Sequence, residues 1–595
     1  MKSRYLVTTA DERTWPTGKP ILFLGEWCRL YNRKIAWEKL DAKILPYHWD
    51  DRSKLYRDYQ YLRVLYEKLL AELSIILNEL HGVDNSSRYW RILIGPWLGF
   101  FTQMLFDRWE MINSAQTKVD ILGVRILDTP LNQTVPLDMT DFNKLYLDDF
   151  WNEAIFAQIL RAYPNIHIDI VRVHISENLT KKHSFIPASE PQSWKRIFMR
   201  TLNLFLQKLY FDNEAFFITT YLPLKSSLML QWKFGQIPKI WHTFPSSRTS
   251  LDESTRNWSF KVLPKNSFET ILYKMIPKHI PILYLEGYSN LQKQVAELPW
   301  PKKPKLIFTS NLYCSDDVFK AWSASKVEKG STFVIGQHGG GHGIHKWGFL
   351  EDHQMAISDS WLSWGWDSPN NSKIIPFGNV KIVNHFQEYD SKGKALLIQM
   401  SLPRYSYHMY SIPTSSQWLA YFEDQYKFIT ELPEEIRKQL VVRTYSQDYG
   451  RCQKQLWLER FPDIQIDDGI IPINYLIKKS RIYISTYNSS TFLESLGMNI
   501  PTIIFWNPSH WELSDNAIPF FNHLKEVGIF HETPQSAAAK LSEIWNNVDN
   551  WWFQKKIQDV RQYFCHQFSR VLRNPINTLK NILLSTEKDR FHRKV

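Results

Sequence analysis

A strand that ends on glycines constrains this chain more than any other feature. Phe333-Val334-Ile335-Gly336 reads as a buried strand and runs directly into Gln337-His338-Gly339-Gly340-Gly341-His342-Gly343. In α/β proteins, ligands sit beyond the carboxyl ends of parallel strands. Glycines at that edge remove side chains and let backbone N–H groups approach an anion. A histidine there exchanges a proton near neutral pH. The segment predicts an α/β fold with a reaction site for a phosphorylated or acidic ligand.

The rest of the chain repeats the strand–helix rhythm of parallel sheets. Tyr5-Leu6-Val7 and Ile21-Leu22-Phe23-Leu24 read as strands, followed by a helical insertion over about 53–110 with leucines spaced by three and four. Ile166–Val171, Phe216–Tyr221 and Lys305–Thr309 are further strand candidates, and Trp194–Leu209 and Ser315–Lys326 read as helices. A second α/β unit begins near Lys392, with strands at Lys394–Met400, Val441–Arg443, Ile482–Ser485 and Pro501–Phe505. Gly378, Asn379 and Ser391-Lys392-Gly393 mark a linker over Phe377–Gly393. At 595 residues the chain exceeds one core. The expectation is two Rossmann-like α/β domains facing a cleft: 1–385 on the acceptor side, with the helical insertion, and 386–595 on the donor side, with terminal helices.

Composition narrows the partners. The net charge of +12 suits an anionic substrate or membrane surface, but the basic residues are dispersed, which argues against nucleic acid. The 25 tryptophans fit either stacking platforms or core packing. Four cysteines lie far apart with no CxxC, which points to reduced thiols and a cytoplasmic setting. The N-terminus turns polar by Thr8 and lacks a signal-peptide apolar region. The longest apolar run, Ile92–Phe106, is too short for a membrane span and reads as a buried helix, with a helix in the membrane interface as the alternative.

Three constellations carry chemistry. His338, placed directly after a strand, suits a general base. His338, His342 and His345 as a metal set is the rival reading, and a turn whose histidine only bonds backbone is the structural one. The glycines also resemble an esterase oxyanion segment, but G-x-S-x-G is absent, as are strict GxGxxG and GxxxxGK[ST]. Second, Ser485-Thr486-Tyr487-Asn488-Ser489-Ser490-Thr491-Phe492-Leu493-Glu494 takes a strand through a hydroxyl-rich turn into a helix, whose free N–H groups suit phosphate. Ser489, Ser490 and Thr491 add donors there, and Glu494 is placed to bond a ribose or sugar hydroxyl. Thr491-x-x-Glu494 also reads as a capping box that needs no ligand. Third, Gly25-Glu26-Trp27-Cys28 places a carboxylate at a strand end, as an acceptor-activating base or as a partner of Arg29 or Arg33. The clusters around His48 and Asp50 and around Arg88 read either as acceptor-pocket lining or as helix starts. No D-x-D pair is present.

From Gln337 to Phe505 the motif order is similar to that of bacterial CDP-glycerol glycerophosphotransferases. His338-Gly339 ends the first domain, Leu402-Pro403-Arg404 opens the second, and Thr486-Tyr487-Asn488-Ser489-Ser490 matches their phosphate-binding turn except for its acidic residue. Over nearly its whole length the chain more closely resembles a transferase family of bacterial surface-polysaccharide and O-antigen gene clusters. The carrying residues are Leu22–Cys28, Tyr47–Arg52, Arg88–Arg91 with Gly95-Pro96-Trp97, Gln337–Gly340 and Tyr487–Glu494. This resemblance implies a GT-B-type glycosyltransferase acting on a bacterial surface polysaccharide, metal-independent and without a cofactor. Its partners would be a nucleotide-sugar donor, CMP- or CDP-linked among the options, and a glycan or lipid-linked glycan acceptor. Peripheral contact with the inner face of the plasma membrane stays open.

Donor binding is expected at Ser489, Ser490, Thr491 and Glu494, with Gly339 and Gly340, and with Arg404 as a phosphate clamp. Acceptor binding is expected at Trp27, His48, Asp50 and Arg88, with His338 or Glu26 as the base. A CDP-polyol phosphotransferase and a non-catalytic sugar-binding or assembly protein are the alternatives.

Overall fold

A computed structural model describes residues 3–172, 211–382 and 388–592. The helix expected over Trp194–Leu209 lies outside them. Within the described residues every strand ladder is parallel, and the strands form three sheets.

The first sheet contains β1 (Arg4–Val7), β2 (Ile21–Phe23), β3 (Ala42–Ile44), β4 (Ile121–Leu127) and β5 (Ile168–Val171), in the order β3-β2-β1-β4-β5. The second contains β6 (Phe216–Phe217), β7 (Leu306–Thr309), β8 (Thr332–Gly336), β9 (Ser360–Ser363) and β10 (Ile374–Pro376), in plain sequential order. The third contains β11 (Lys394–Ile398), β12 (Leu440–Arg443), β13 (Gln465–Asp467), β14 (Ser480–Ser485), β15 (Thr502–Phe505) and β16 (Phe530–His531), ordered β13-β12-β11-β14-β15-β16. The first and third sheets thus have the Rossmann reversal, at β1/β4 and at β11/β14. The stretch expected to hold one sheet before the linker holds two. No ladder crosses 377–393.

Two long helices, α1 (Arg52–His81) and α2 (Ser87–Lys118), fill the crossover from β3 to β4. Asp51 caps the first by accepting from Lys54 N, and Gly82, in the left-handed region at φ 63°, ends it. The apolar run 92–106 is buried from end to end in α2, because this helix is enclosed by α1 and the helices flanking the second sheet. No helix among the described residues is long and apolar enough to cross a membrane.

Alternation along the second sheet sorts its side chains. Ile307, Phe333 and Ile335 join the main core, while Leu306, Phe308 and Val334 face a smaller cluster covered by Ile576, Leu579 and Leu583 of the C-terminal helix. The strand expected over Phe216–Tyr221 stops at Phe217. Thr219 and Tyr221 have φ of 47° and 59°, which no strand accommodates.

Candidate functional site

The site is built where two strand-end segments meet. After β8, the buried Gln337 donates to Gly339 O (2.8 Å) and accepts from Trp364 N (2.8 Å), fixing the loop. The loop then reaches the start of helix α3 of the site region, Ser490–Gly497, which follows β14. Gly340 N donates to Ser490 Oγ (2.7 Å). A Cβ on Gly340 would lie 2.5 Å from Ser489 C, so only glycine permits this approach. Gly341 sits at φ 101°, where other residues are strained, and turns the chain into His342 and His345. His345 pairs through Nε2 with Asn488 O (3.0 Å).

Between these segments lies a cleft of about 320 Å³. It opens at the β11/β14 reversal: residues following β11 (Met400–Pro403) form one wall and Tyr487–Ser489 another. Strands that diverge on opposite sides of a reversal leave a crevice at their carboxyl ends. Tyr407, Tyr410, Tyr445, Tyr449, Trp347 and Trp511 add aromatic walls, and among the described residues no lysine or arginine lines the cleft.

Unpaired polar atoms concentrate here. Asn488 is fully buried with neither Oδ1 nor Nδ2 hydrogen-bonded, and Trp347 Nε1, His408 Nδ1 and His338 Nδ1 also lack partners. Leaving a buried polar group unmade costs roughly 1–3 kcal/mol, and all four of these residues line the cleft.

The titrating groups are shifted toward neutrality. Burial, with help from the Lys381 charge, lowers the His338 pKa to about 4. Burial likewise lowers His345 to about 4 and His342 and His408 to about 3. Glu351 is pushed up to about 8 by burial, although its carboxylate accepts from Gly343 N (3.2 Å). At pH 7 the cleft holds neutral imidazoles and a protonated carboxyl, a set able to accept and donate protons without fixed charge. The three loop histidines do not converge as a metal set: His342 bonds Gly339 O (3.3 Å) and the Gln354 side chain (2.9 Å), and His345 bonds Asn488 O. Among the described residues no group of three or more His, Cys, Asp or Glu side chains is placed to hold a metal.

The structure brings together His338, Gly340 and Ser489 on the cleft, with Gly339 and Ser490 at the loop contact behind it. It places the other expected site residues off the cleft lining. Thr491 donates to Tyr487 OH (3.1 Å), away from any capping box, and the helix start has no side-chain cap. Glu494 pairs with Lys381 (3.2 Å), so its carboxylate is engaged by an ammonium and does not line the cleft. Arg404 donates to Asp149 (2.6 Å) and to Trp27 O (2.6 Å), which fastens the third sheet's strand-end segment to the N-terminal half.

The expected acceptor residues lie outside the cleft lining and have partners within the protein. Trp27 is buried, with Nε1 donating to Thr8 O (2.9 Å), and Glu26 pairs with Arg29 (2.6 Å). His48 is buried against Asp107 (3.0 Å), in a network where Asp107 also accepts from Tyr47 and Arg108 (both 2.6 Å). Asp50 accepts from Ser416 Oγ (2.7 Å), and Arg88 bonds Asp359 (3.0 Å) and Ile357 O (2.6 Å). Each of these polar groups has an internal partner, as burial demands for Trp27 and His48. Glu351, Asn488 and the tyrosines at 407, 410, 445 and 449 are the cleft residues that sequence reasoning missed. Asn488 lies within the hydroxyl-rich turn but was not singled out, and Glu351 and the two tyrosine pairs carry no local motif.

A family model described as LIC12162 family transferase matches residues 4–583. A search of curated proteins returns no relative. Among solved structures, spinosyn rhamnosyltransferase SpnG complexed with thymidine diphosphate is 10% identical at a TM-score of 0.30, covering 50% of this chain and 77% of its own. MurG of Acinetobacter baumannii is 12% identical at 0.30, over 63% and 99% of the two chains. WaaG, a glycosyltransferase involved in lipopolysaccharide biosynthesis, is 10% identical at 0.28, over 62% and 99%. Superpositions this loose say nothing about substrate. The family match spans nearly the whole chain, and the chain belongs to the LIC12162 family of transferases.

Proposed function

We propose that this LIC12162-family transferase is a GT-B-type glycosyltransferase that moves a sugar from a nucleotide-activated donor to a bacterial surface-polysaccharide acceptor. The observation that carries the reading is the cleft at the β11/β14 reversal, with its unpaired buried polar atoms and with His338 on its rim. In the proposed reaction the donor's phosphates lie at the Asn488–Ser490 turn, where the helix start and the Asn488 amide supply donors without a cation. His338 takes the acceptor hydroxyl's proton as the hydroxyl attacks the sugar's anomeric carbon, and the nucleoside phosphate leaves. A base held near pKa 4 is weak. Negative charge arriving with the donor raises that pKa, so the base strengthens once the donor is seated. Glu351, neutral at pH 7, is placed on the same cleft as a proton donor. The N-terminal region, 1–385, holds the acceptor, and the enzyme works on the cytoplasmic side of the membrane without a metal.

The test is a thermal-shift screen of CMP-, CDP-, UDP-, GDP- and dTDP-sugars. Binding to the native state alone raises stability by RT ln(1 + [L]/Kd), about 2.7 kcal/mol at 100 Kd. One nucleotide class that raises Tm, followed by sugar transfer that survives EDTA, supports the proposal. No shift with any donor overturns it.

A further inference from the structure

Tyr445 and Tyr449 stand on the cleft wall with ring centroids 6.4 Å apart and planes 15° from parallel. That separation is at the long end of the range for rings in direct contact, about 4.5–7 Å. As a centroid separation it is an upper limit on the gap between the ring planes, a little under the roughly 6.8 Å that a base stacked on both faces needs, so seating a base parts the rings slightly. We propose that the two rings form a slot for the donor's nucleobase, a deepening that rests on the nucleotide-sugar reading above.

The backbone supports a built feature rather than two chance surface rings. Tyr449 sits at φ 55°, a left-handed conformation that a bulky residue adopts only where the surroundings impose it. Asp448 imposes it by accepting from Cys452 N (2.7 Å) and Gln453 N (2.8 Å), which caps the helix Gln453–Arg460. Arg451 fastens the same turn to Leu402 O (3.3 Å) and Pro403 O (3.2 Å), on the wall that follows β11. Gly450 completes it: a Cβ there would lie 3.0 Å from Arg404 Nε. Tyr445 follows β12, is 45% exposed, and also borders an open groove outside the cleft, so the slot is at the mouth, where a flat ring can enter edge-on. Every base has a π face, and stacking tolerates all of them.

Calorimetry with CDP, UDP, GDP, ADP, dTDP and inorganic pyrophosphate, on the full chain, tests the slot. For the tightest nucleoside diphosphate, Tyr445→Ala should weaken binding roughly 5- to 100-fold. Tyr445→Phe should stay within about threefold of the parent, because the ring remains. Tyr449→Asn, which tolerates the left-handed backbone, should reproduce the loss without unfolding the turn. Pyrophosphate binding should be unchanged in all three. If folded Tyr445→Ala and Tyr449→Asn bind the nucleotide like the parent, the slot is overturned while the donor reading stands. Equal weakening of pyrophosphate also overturns it, because the rings then act on the phosphate site. If the parent binds no nucleotide, the donor reading itself falls.

Discussion

The strand-end turn after β2 and the one after β14 look alike on paper, and they ended differently. Both leave a parallel strand, both carry polar residues, and both sit in Rossmann-ordered sheets. After β2 the molecule filled the space with itself: the Trp27 ring packs under Gly25, Glu26 pairs with Arg29, and Arg404 caps Trp27 O. After β14 it left a cleft with a buried amide, Asn488, unsatisfied. The second turn stands at the β11/β14 reversal, whereas β2 lies one strand outside the β1/β4 reversal of its sheet. The second turn also combines a void with polar groups that the protein does not satisfy.

The sharpest way to break this comparison sets the two candidate bases against each other. His338→Ala should lower kcat by roughly 10²–10⁴-fold. Glu26→Gln should leave kcat near the parent's, since it removes a half-exposed ion pair of the kind that contributes about 0–1 kcal/mol. The reverse result in steady-state kinetics would move the chemistry to the first sheet.

Arg404→Met separates a clamp from a fastener. Breaking a largely buried pair costs about 3–5 kcal/mol when one charge is left behind. The variant should show a clearly lower denaturation midpoint, with donor affinity per folded molecule little changed. Unchanged stability with lost donor binding would restore Arg404 to the site.

Gly340→Ala tests the loop contact on the other side. Its Cβ meets the backbone at Ser489 and Ser490, so the two segments must part, at a cost of about 1–3 kcal/mol. Thermal unfolding and donor titration should both worsen, whereas Gly18→Ala should leave donor affinity unchanged, since a Cβ there meets nothing within 4 Å.

Asn488→Ala should show opposite signs in two assays. Removing an unsatisfied buried amide should leave the unliganded protein as stable as the parent or slightly more so, while donor affinity falls about tenfold, the loss of roughly one good hydrogen bond to a charged group. Loss of stability with donor affinity intact would make Asn488 structural, like His48.

A further test concerns pH. Glu351 titrates near 8 in the folded protein against an ordinary 4.5, so the native state keeps a proton that the unfolded chain has released. Its contribution to stability is fully present below about pH 4.5 and is lost as pH rises through about 8. Glu351→Gln removes that loss and keeps an acceptor for Gly343 N, so its Tm advantage over the parent should grow from about pH 5 to 8. The buried histidines, whose pKa values are lowered, lose stability as pH falls below about 6.5, and they do so in both proteins alike. A constant Tm difference across this range would mean that Glu351 is ionised in the fold.

The sequence alone determined the parallel α/β class, the two long helices after β3 and the two segments that build the cleft. Period-two and period-3.6 apolar patterns and glycines at strand ends are local signals, and they survive folding. Phe333–Gly336 and Ile482–Ser485 were legible for that reason. Strand β4 was harder to see: Gly123 interrupts its apolar run, and only its pairing with β1 and β5 defines it. The second sheet, with the fate of each polar side chain, was decided by tertiary structure. Whether Arg404 clamps a ligand or binds Asp149, 255 residues away, depends on which chain segment arrives beside it. His48 and Asp107, Arg52 and Glu512, and Tyr445 and Tyr449 are likewise pairs that no spacing announces. A buried polar group takes the partner that packing supplies, and where packing supplies none, as at Asn488, a place for a ligand remains.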